Sequence, residues 1–167
     1  MGGDMVMVSN KLVKLIEDNA DELTRRLMKD LLSREETKSY RNLSEDLVYE
    51  RVFDVYSRLD HWLGRENSKE AIKKFYVNLG KKRFMEGIPL HELIMTFMLI
   101  KRHLWMYVLE KHFFDSTYEI NQSLELNNRV VLFFDRIIFF ASIGYEEEME
   151  KCPKKHPGIL SRLFGRG

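Results

Sequence analysis

Between Tyr76 and Trp105 the chain reads YVNLGKKRFMEGIPLHELIMTFMLIKRHLW, and its only strong backbone punctuation is Gly87-Ile88-Pro89. A glycine that can leave a helix in a left-handed conformation, followed by a proline suited to a helical first turn, dictates two helices meeting at a corner. The first closes over residues 78–86 and the second runs from Leu90 to about residue 114 without a breaker. Leu93, Ile94, Met95, Phe97, Met98, Leu99, Ile100, Leu104, Trp105, Met106, Val108 and Leu109 cover most of the second helix, which predicts that it lies inside the protein. One narrow polar stripe is left. Glu92, Thr96, His103 and Glu110 fall within about 40° of one another at ~100° per residue.

The segments before the corner follow the same period. From Lys11, residues Leu12, Leu15, Ile16, Leu23, Leu27, Leu31 and Leu32 recur at helical spacing, and Asn19 with Glu22 has the pattern of a capping box that starts a fresh helix at Ala20. Residues 33–42 are polar and read as a connection or short helical turn. Ser44 caps the next helix, whose inward face is Leu47, Val48, Phe53, Val55, Tyr56, Leu59 and Trp62 and which Gly64 ends. Ser68 caps the helix that carries Ile72, Phe75, Tyr76, Leu79 and Phe84 to the corner. No strand-like alternation occurs and the chain has three prolines, so the class is all-α with five to six helices.

After a turn around 115–117 comes a last long helix, roughly 118–151. Its apolar residues form two rows: Leu124, Val131, Ile138 and Tyr145, flanked by Ile120, Phe134 and Ala141; and Leu126, Val130, Phe133, Ile137 and Phe140. Two apolar faces need two partners, the protein's own core and the same helix of a second subunit. Leu124, Val131, Phe134, Ile138 and Tyr145 are therefore the candidate dimer interface; burial all round within a monomer is the alternative. The expected organisation is a disordered stretch over 1–10, a helical domain over 11–151 and a flexible basic and apolar tail over 152–167.

Composition bounds the function. A chain of 167 residues with 44% hydrophobic content suffices for one domain with its own core. With 27 basic and 26 acidic side chains the net charge is +1, so no global field attracts nucleic acid. The longest apolar run, 130–143, contains Asp135 and Arg136 and is too short for a membrane span. The amino terminus lacks the pattern of a signal peptide and Cys152 is the sole cysteine, which fits a cytoplasmic protein. No histidine has a glutamate three residues before it or another histidine four residues on, and no phosphate-cradling glycine loop occurs, so neither catalysis nor a metal site is expected. His103, projecting from a mainly apolar helix, is either a hydrogen-bonded member of the polar stripe, a ligand-pocket group or a haem ligand; His61 beside Trp62 has the same choice.

Several short motifs carry a resemblance. Leu79-Gly80-Lys81-Lys82-Arg83, Gly87-Ile88-Pro89-Leu90, Leu99-Ile100-Lys101-Arg102-His103-Leu104-Trp105, Asn19-Ala20-Asp21-Glu22-Leu23 and Trp62-Leu63 together resemble the amino-terminal domain of the RsbR-type (RsbT co-antagonist, RsbRD-like) stress-signalling proteins, over roughly 12–150. The resemblance implies a cytoplasmic, dimeric, globin-like helical sensor bundle that normally sits in front of a signalling output domain and works with a signalling protein partner. The corner is also similar to the Ile-Gly-x-x-His segment of haem-containing globin-coupled sensors, but Arg83 stands where their histidine holds iron. A guanidinium has no lone pair for a metal, so haem by that route is not expected. Haem-less relatives that bind fatty acids imply an elongated apolar pocket. Phe75, Tyr76, Phe84, Phe97, Met98 and Trp105 are its candidate lining, with His103 as its titratable group. The alternatives are a haem-binding gas or redox sensor using His103 or His61, and an interaction module docking by its tail. In the sequence as it stands no output domain follows Lys151, which leaves the tail as the expected contact to an effector.

Overall fold

The computed structural model describes residues 3–64, 69–111 and 116–152, with side chains from residue 10 onward. Seven α-helices and one 3-10 segment occur among them: α1 (Gly3–Asp18), α2 (Ala20–Ser33), the 3-10 segment (Glu35–Asn42), α3 (Glu45–Ser57), α4 (Leu59–Leu63), α5 (Lys69–Met85), α6 (Leu90–Lys111) and α7 (Thr117–Lys151). The described residues contain no strand. No helix among them is long and apolar enough to cross a membrane.

The helix count exceeds the expected five to six because the helix expected between Ser44 and Gly64 is divided at Arg58, without a glycine or proline. At Asn19 the break falls where the sequence puts it, but the capping box does not form. The Asn19 side chain reaches back, Nδ2 donating to the Leu15 carbonyl at 2.8 Å, and gives α2 no cap bond. At Arg58 the backbone leaves the helix (φ −123°, ψ 30°), and the offset lets Leu59, Trp62 and Leu63 of α4 enter the core together with Val55 and Tyr56 of α3. Helix α1 starts at Gly3, upstream of the apolar period that begins at Leu12. Ser44 caps α3 as expected, its Oγ accepting from the Leu47 N–H at 3.3 Å. The cap expected at Ser68 lies outside the described residues, as does the tail beyond Cys152.

The corner forms as its residues require. Gly87 adopts φ +75°, its N–H donates to the Phe84 carbonyl at 2.9 Å, and the Ile88 N–H donates to the Arg83 carbonyl at 3.1 Å. The Pro89 carbonyl then receives the Leu93 N–H at 3.1 Å and α6 begins. Ile88, 1% exposed, is sealed beneath the turn.

Helix α6 buries Leu93, Phe97, Leu99, Ile100, Leu104 and Val108 as its apolar content predicts. Its polar stripe faces inward: Glu92 and Thr96 are buried, Glu92 accepting from the Ser39 N–H at 2.8 Å and the Ser39 hydroxyl at 2.9 Å. Farther along, His103 Nε2 lies 2.9 Å from Asp30 on α2, and Glu110 is bonded to Arg26. Met98, Met106 and Leu109 are exposed instead. The stripe is a row of polar fasteners to α2 and the 3-10 segment, which pairs the buried Glu92 and Thr96 while some apolar side chains of α6 stand outside.

Helices α5 and α7 share the tightest seam. A Cβ added at Gly80 would collide with the Ala141 carbonyl, and one added at Gly144 would collide with the Val77 carbonyl, so the backbones touch at both glycines. Along α7 the buried face is Leu126, Val130, Phe133, Phe134, Ile137, Phe140 and Ala141, the second of the two rows joined by Phe134 and Ala141.

Candidate functional site

Away from that seam, helices α3, α5 and α6 do not close on one another. A cavity of about 280 Å³ remains between them and the 3-10 segment, lined by Val48, Val52, Val55, Phe75, Tyr76, Leu79, Leu93, Phe97 and Ile100 with Tyr40, Glu50, Arg51, Asp54, Arg83 and Thr96. The helical period explains the walls. Val48, Val52 and Val55 sit one turn apart on α3, Tyr76, Leu79 and Arg83 on α5, and Leu93, Phe97 and Ile100 on α6. Aromatic contacts stiffen one wall: Tyr76 packs on Trp62, Phe75, Phe97 and Phe133 with ring centroids 5.0–6.1 Å apart. Tyr56 pins α3 to α6 by donating to the Ile100 carbonyl at 2.9 Å.

The polar end is built around Arg83, which is 8% exposed. Its Nη1 donates to Glu86 at 3.1 and 3.2 Å, while Arg51 on α3 takes the same carboxylate more closely, at 2.6 and 3.0 Å. Burial and the neighbouring Arg51 cation push the Arg83 pKa down. For Glu86, burial alone would push the value up, but the hydrogen bond from Arg51 and the charges of Arg83 and Arg51 outweigh it and hold it low. The buried Tyr40 hydroxyl lies beside Thr96 within the field of both arginines; burial is the larger effect and raises its pKa. Thr96 donates to the Glu92 carbonyl at 2.8 Å.

The cavity gathers some of the residues singled out from sequence and not others. Phe75, Tyr76 and Phe97 line it. Phe84 packs edge-on against Tyr145, with centroids 5.2 Å apart, Met98 is exposed, and Trp105 packs against the core elsewhere. His103 is also outside the lining; it shares Asp30 with Arg34, whose Nε bonds the same carboxylate at 2.7 Å. Those hydrogen bonds hold the Asp30 pKa low: Arg34 is the main cause, burial opposes it, and His103 adds to the lowering. His61 is exposed, its ring 5.1 Å from Trp62. Among the α7 residues, Leu124 is exposed, Val131, Ile138 and Tyr145 are half-buried, and Phe134 is fully buried within the subunit. Phe134 therefore belongs to the core face and not to an outward one. Among the described residues no group of three or more histidine, cysteine or acidic side chains could hold a metal ion.

Arg51, Glu86, Tyr40 and Thr96 are the site residues that sequence reasoning missed. Arg51 and Glu86 are thirty-five positions apart and look like ordinary surface charges on two amphipathic helices. Only Arg83 carried a signal, as a cation in the motif that leads into the corner.

Fold and site define an all-helical domain with an apolar-walled, cation-ended cavity. Residues 21–152 match the family described as the RsbT co-antagonist protein rsbRD N-terminal domain, and the chain belongs to that family. The family is that of a regulatory sensor domain in stress signalling. No curated protein and no solved structure matches the chain. Helix α1 precedes the matched segment, although it supplies Leu12, Val13 and Ile16 to the core and packs on α3, α4, α6 and α7.

Proposed function

We propose that this chain is a non-enzymatic, cytoplasmic sensory domain in which a small apolar, fatty-acid-like ligand occupies the cavity between α3, α5 and α6. Occupancy biases how α7 packs against α7 of a second subunit, and a signalling partner reads the difference. The observation that carries this reading is the double role of α5: Tyr76, Leu79 and Arg83 face the cavity, while Val77 and Gly80 are locked against α7 without slack. A ligand that moves α5 has to move α7 with it, and a population shift between two packings follows.

Subunit pairing is supported by the outer face of α7. Leu124, Leu132 and Phe139 are 57%, 49% and 62% exposed, a run of large apolar groups interleaved with Asn128 and Asp135. Val131 and Ile138 flank it, so the seam expected from sequence shifts around the helix and loses Phe134 and gains Leu132 and Phe139. The haem alternative has less to stand on, because the cavity lining contains no histidine and Nε2 of His103 is engaged by Asp30.

Native mass spectrometry of freshly purified protein tests both halves of the reading. The expected spectrum shows a dimer carrying a small organic molecule. The double variant Leu132→Lys, Phe139→Lys is expected to run as a folded monomer in sedimentation, and a wild-type protein that is monomeric at all concentrations overturns the pairing.

A further inference from the structure

Resting on the reading of the cavity as a binding site, we infer that its open side, the groove between α3 and α5, is the docking site of this chain's own tail. Residues 159–166, with the sequence ILSRLFGR, lie over the apolar floor and compete with the small ligand. The groove exists because α3 packs on α1, α2 and α4 while α5 packs on α7, so the two helices scarcely meet. Leu93, Phe97 and Ile100 of α6 form the floor between them, and Phe75 stands at the rim, 46% exposed. Two helical walls over an apolar floor are the form that takes an amphipathic segment.

Charge and reach select the segment. Asp46, Glu50 and Asp54 follow one another at one turn of α3, and the last two belong to the lining. Asp46 and Glu50 are exposed and enter no ion pair among the described residues, and Asp54 is held by Arg58 at 2.9 Å. Arg51 and Arg83 are less exposed and share Glu86, so the open charge of the rim is acidic. In the tail Ile159, Leu160, Leu163 and Phe164 have the spacing of one helical face, with Arg162 and Arg166 beside them. The Lys81–Glu147 ion pair, at 2.7 Å, fixes the last turns of α7 against α5. Residues 153–158 extend up to about 20 Å, whereas α5 is about 10–12 Å across, which brings Ile159 around α5 to the rim.

Disulfide capture in the full chain tests the docking. In a Cys152→Ser background, Leu163→Cys is combined with Phe75→Cys or, as control, with Glu125→Cys on the exposed side of α7. On mild oxidation the Phe75 pair is expected to close within one chain at least tenfold faster than the control, and Glu50→Gln with Asp54→Asn should slow it at least threefold. Equal closure of both pairs, or capture only between two chains, overturns the docking. Should Phe75→Cys not fold, Glu50→Cys on the other rim takes its place. Calorimetric titration with 1-octanol separates this inference from the ligand reading: Leu160→Asp with Leu163→Asp is expected to raise octanol affinity at least fivefold. Octanol bound equally by wild type and double variant overturns the docking and leaves the cavity as a ligand site. Fast capture with no octanol bound by either chain overturns the ligand reading and leaves the docking.

Discussion

Helix α5 presents two opposite interfaces, and they differ in kind. Toward α7 it is joined at Gly80 and Gly144, where helix backbones touch and a single added methyl collides with a carbonyl. Toward α3 and α6 it borders an open cavity whose polar end is one carboxylate between two arginines. The first interface is stabilised by close packing of small residues and cannot adjust, whereas the second leaves volume and charge unfilled. On the proposed function, a helix with one rigid side and one incomplete side would pass displacement from the second to the first.

Breaking the rigid side should have the largest effect. Gly144→Leu is expected to cost about 4 kcal/mol, since overpacking against backbone cannot relax by side-chain rotation. At the usual scaling that lowers the melting temperature by roughly 8–16 °C, as circular dichroism would record. Should Gly144→Ala already melt with the wild type, the seam has slack and the contrast between the two faces fails.

On the open side, Glu86→Gln leaves Arg51 and Arg83 without their carboxylate and is expected to cost about 2–4 kcal/mol in urea unfolding, against less than about 0.5 kcal/mol for the exposed control Glu35→Gln. The pH dependence has a fixed sign. Glu86 and Asp30 both have pKa values held below the ordinary carboxylate range, so the stability they contribute is fully present above their unfolded values and is lost as pH falls through the folded ones. The urea midpoint should therefore be level from pH 7 to about 5 and decline below about pH 4. Glu86→Gln should show a shallower decline; an identical slope would remove Glu86 from the account.

A matched pair of enlargements sharpens the comparison. Val52→Phe grows into the cavity and is expected to be neutral or to stabilise by up to about 1 kcal/mol, while Val130→Phe on the core face of α7 should cost roughly 1–3 kcal/mol. Chemical denaturation of both variants reads the sign directly, and two losses of equal size would mean that the cavity is too confined to admit the ring. The smallest effect is expected outside both interfaces. Leu132→Lys should change the unfolding free energy of the subunit by less than about 0.5 kcal/mol, while sedimentation shows weakened self-association.

The sequence by itself determined the helical class, the corner at Gly87 and Pro89, the cap at Ser44 and the core row Leu126, Val130, Phe133, Ile137 and Phe140. These are local or periodic signals: a backbone conformation that only glycine adopts readily, a missing N–H, a side-chain acceptor for an unpaired amide, and a repeat that puts apolar groups on one face. Tertiary structure alone decided that the polar stripe of α6 points inward as well, because its partners Ser39 and Asp30 lie far away in the chain. It likewise decided the break at Arg58 and the burial of Phe134. The cavity is the clearest case, since empty volume belongs to no residue, and the convergence of Arg51, Arg83 and Glu86 exists only once α3 and α5 have packed.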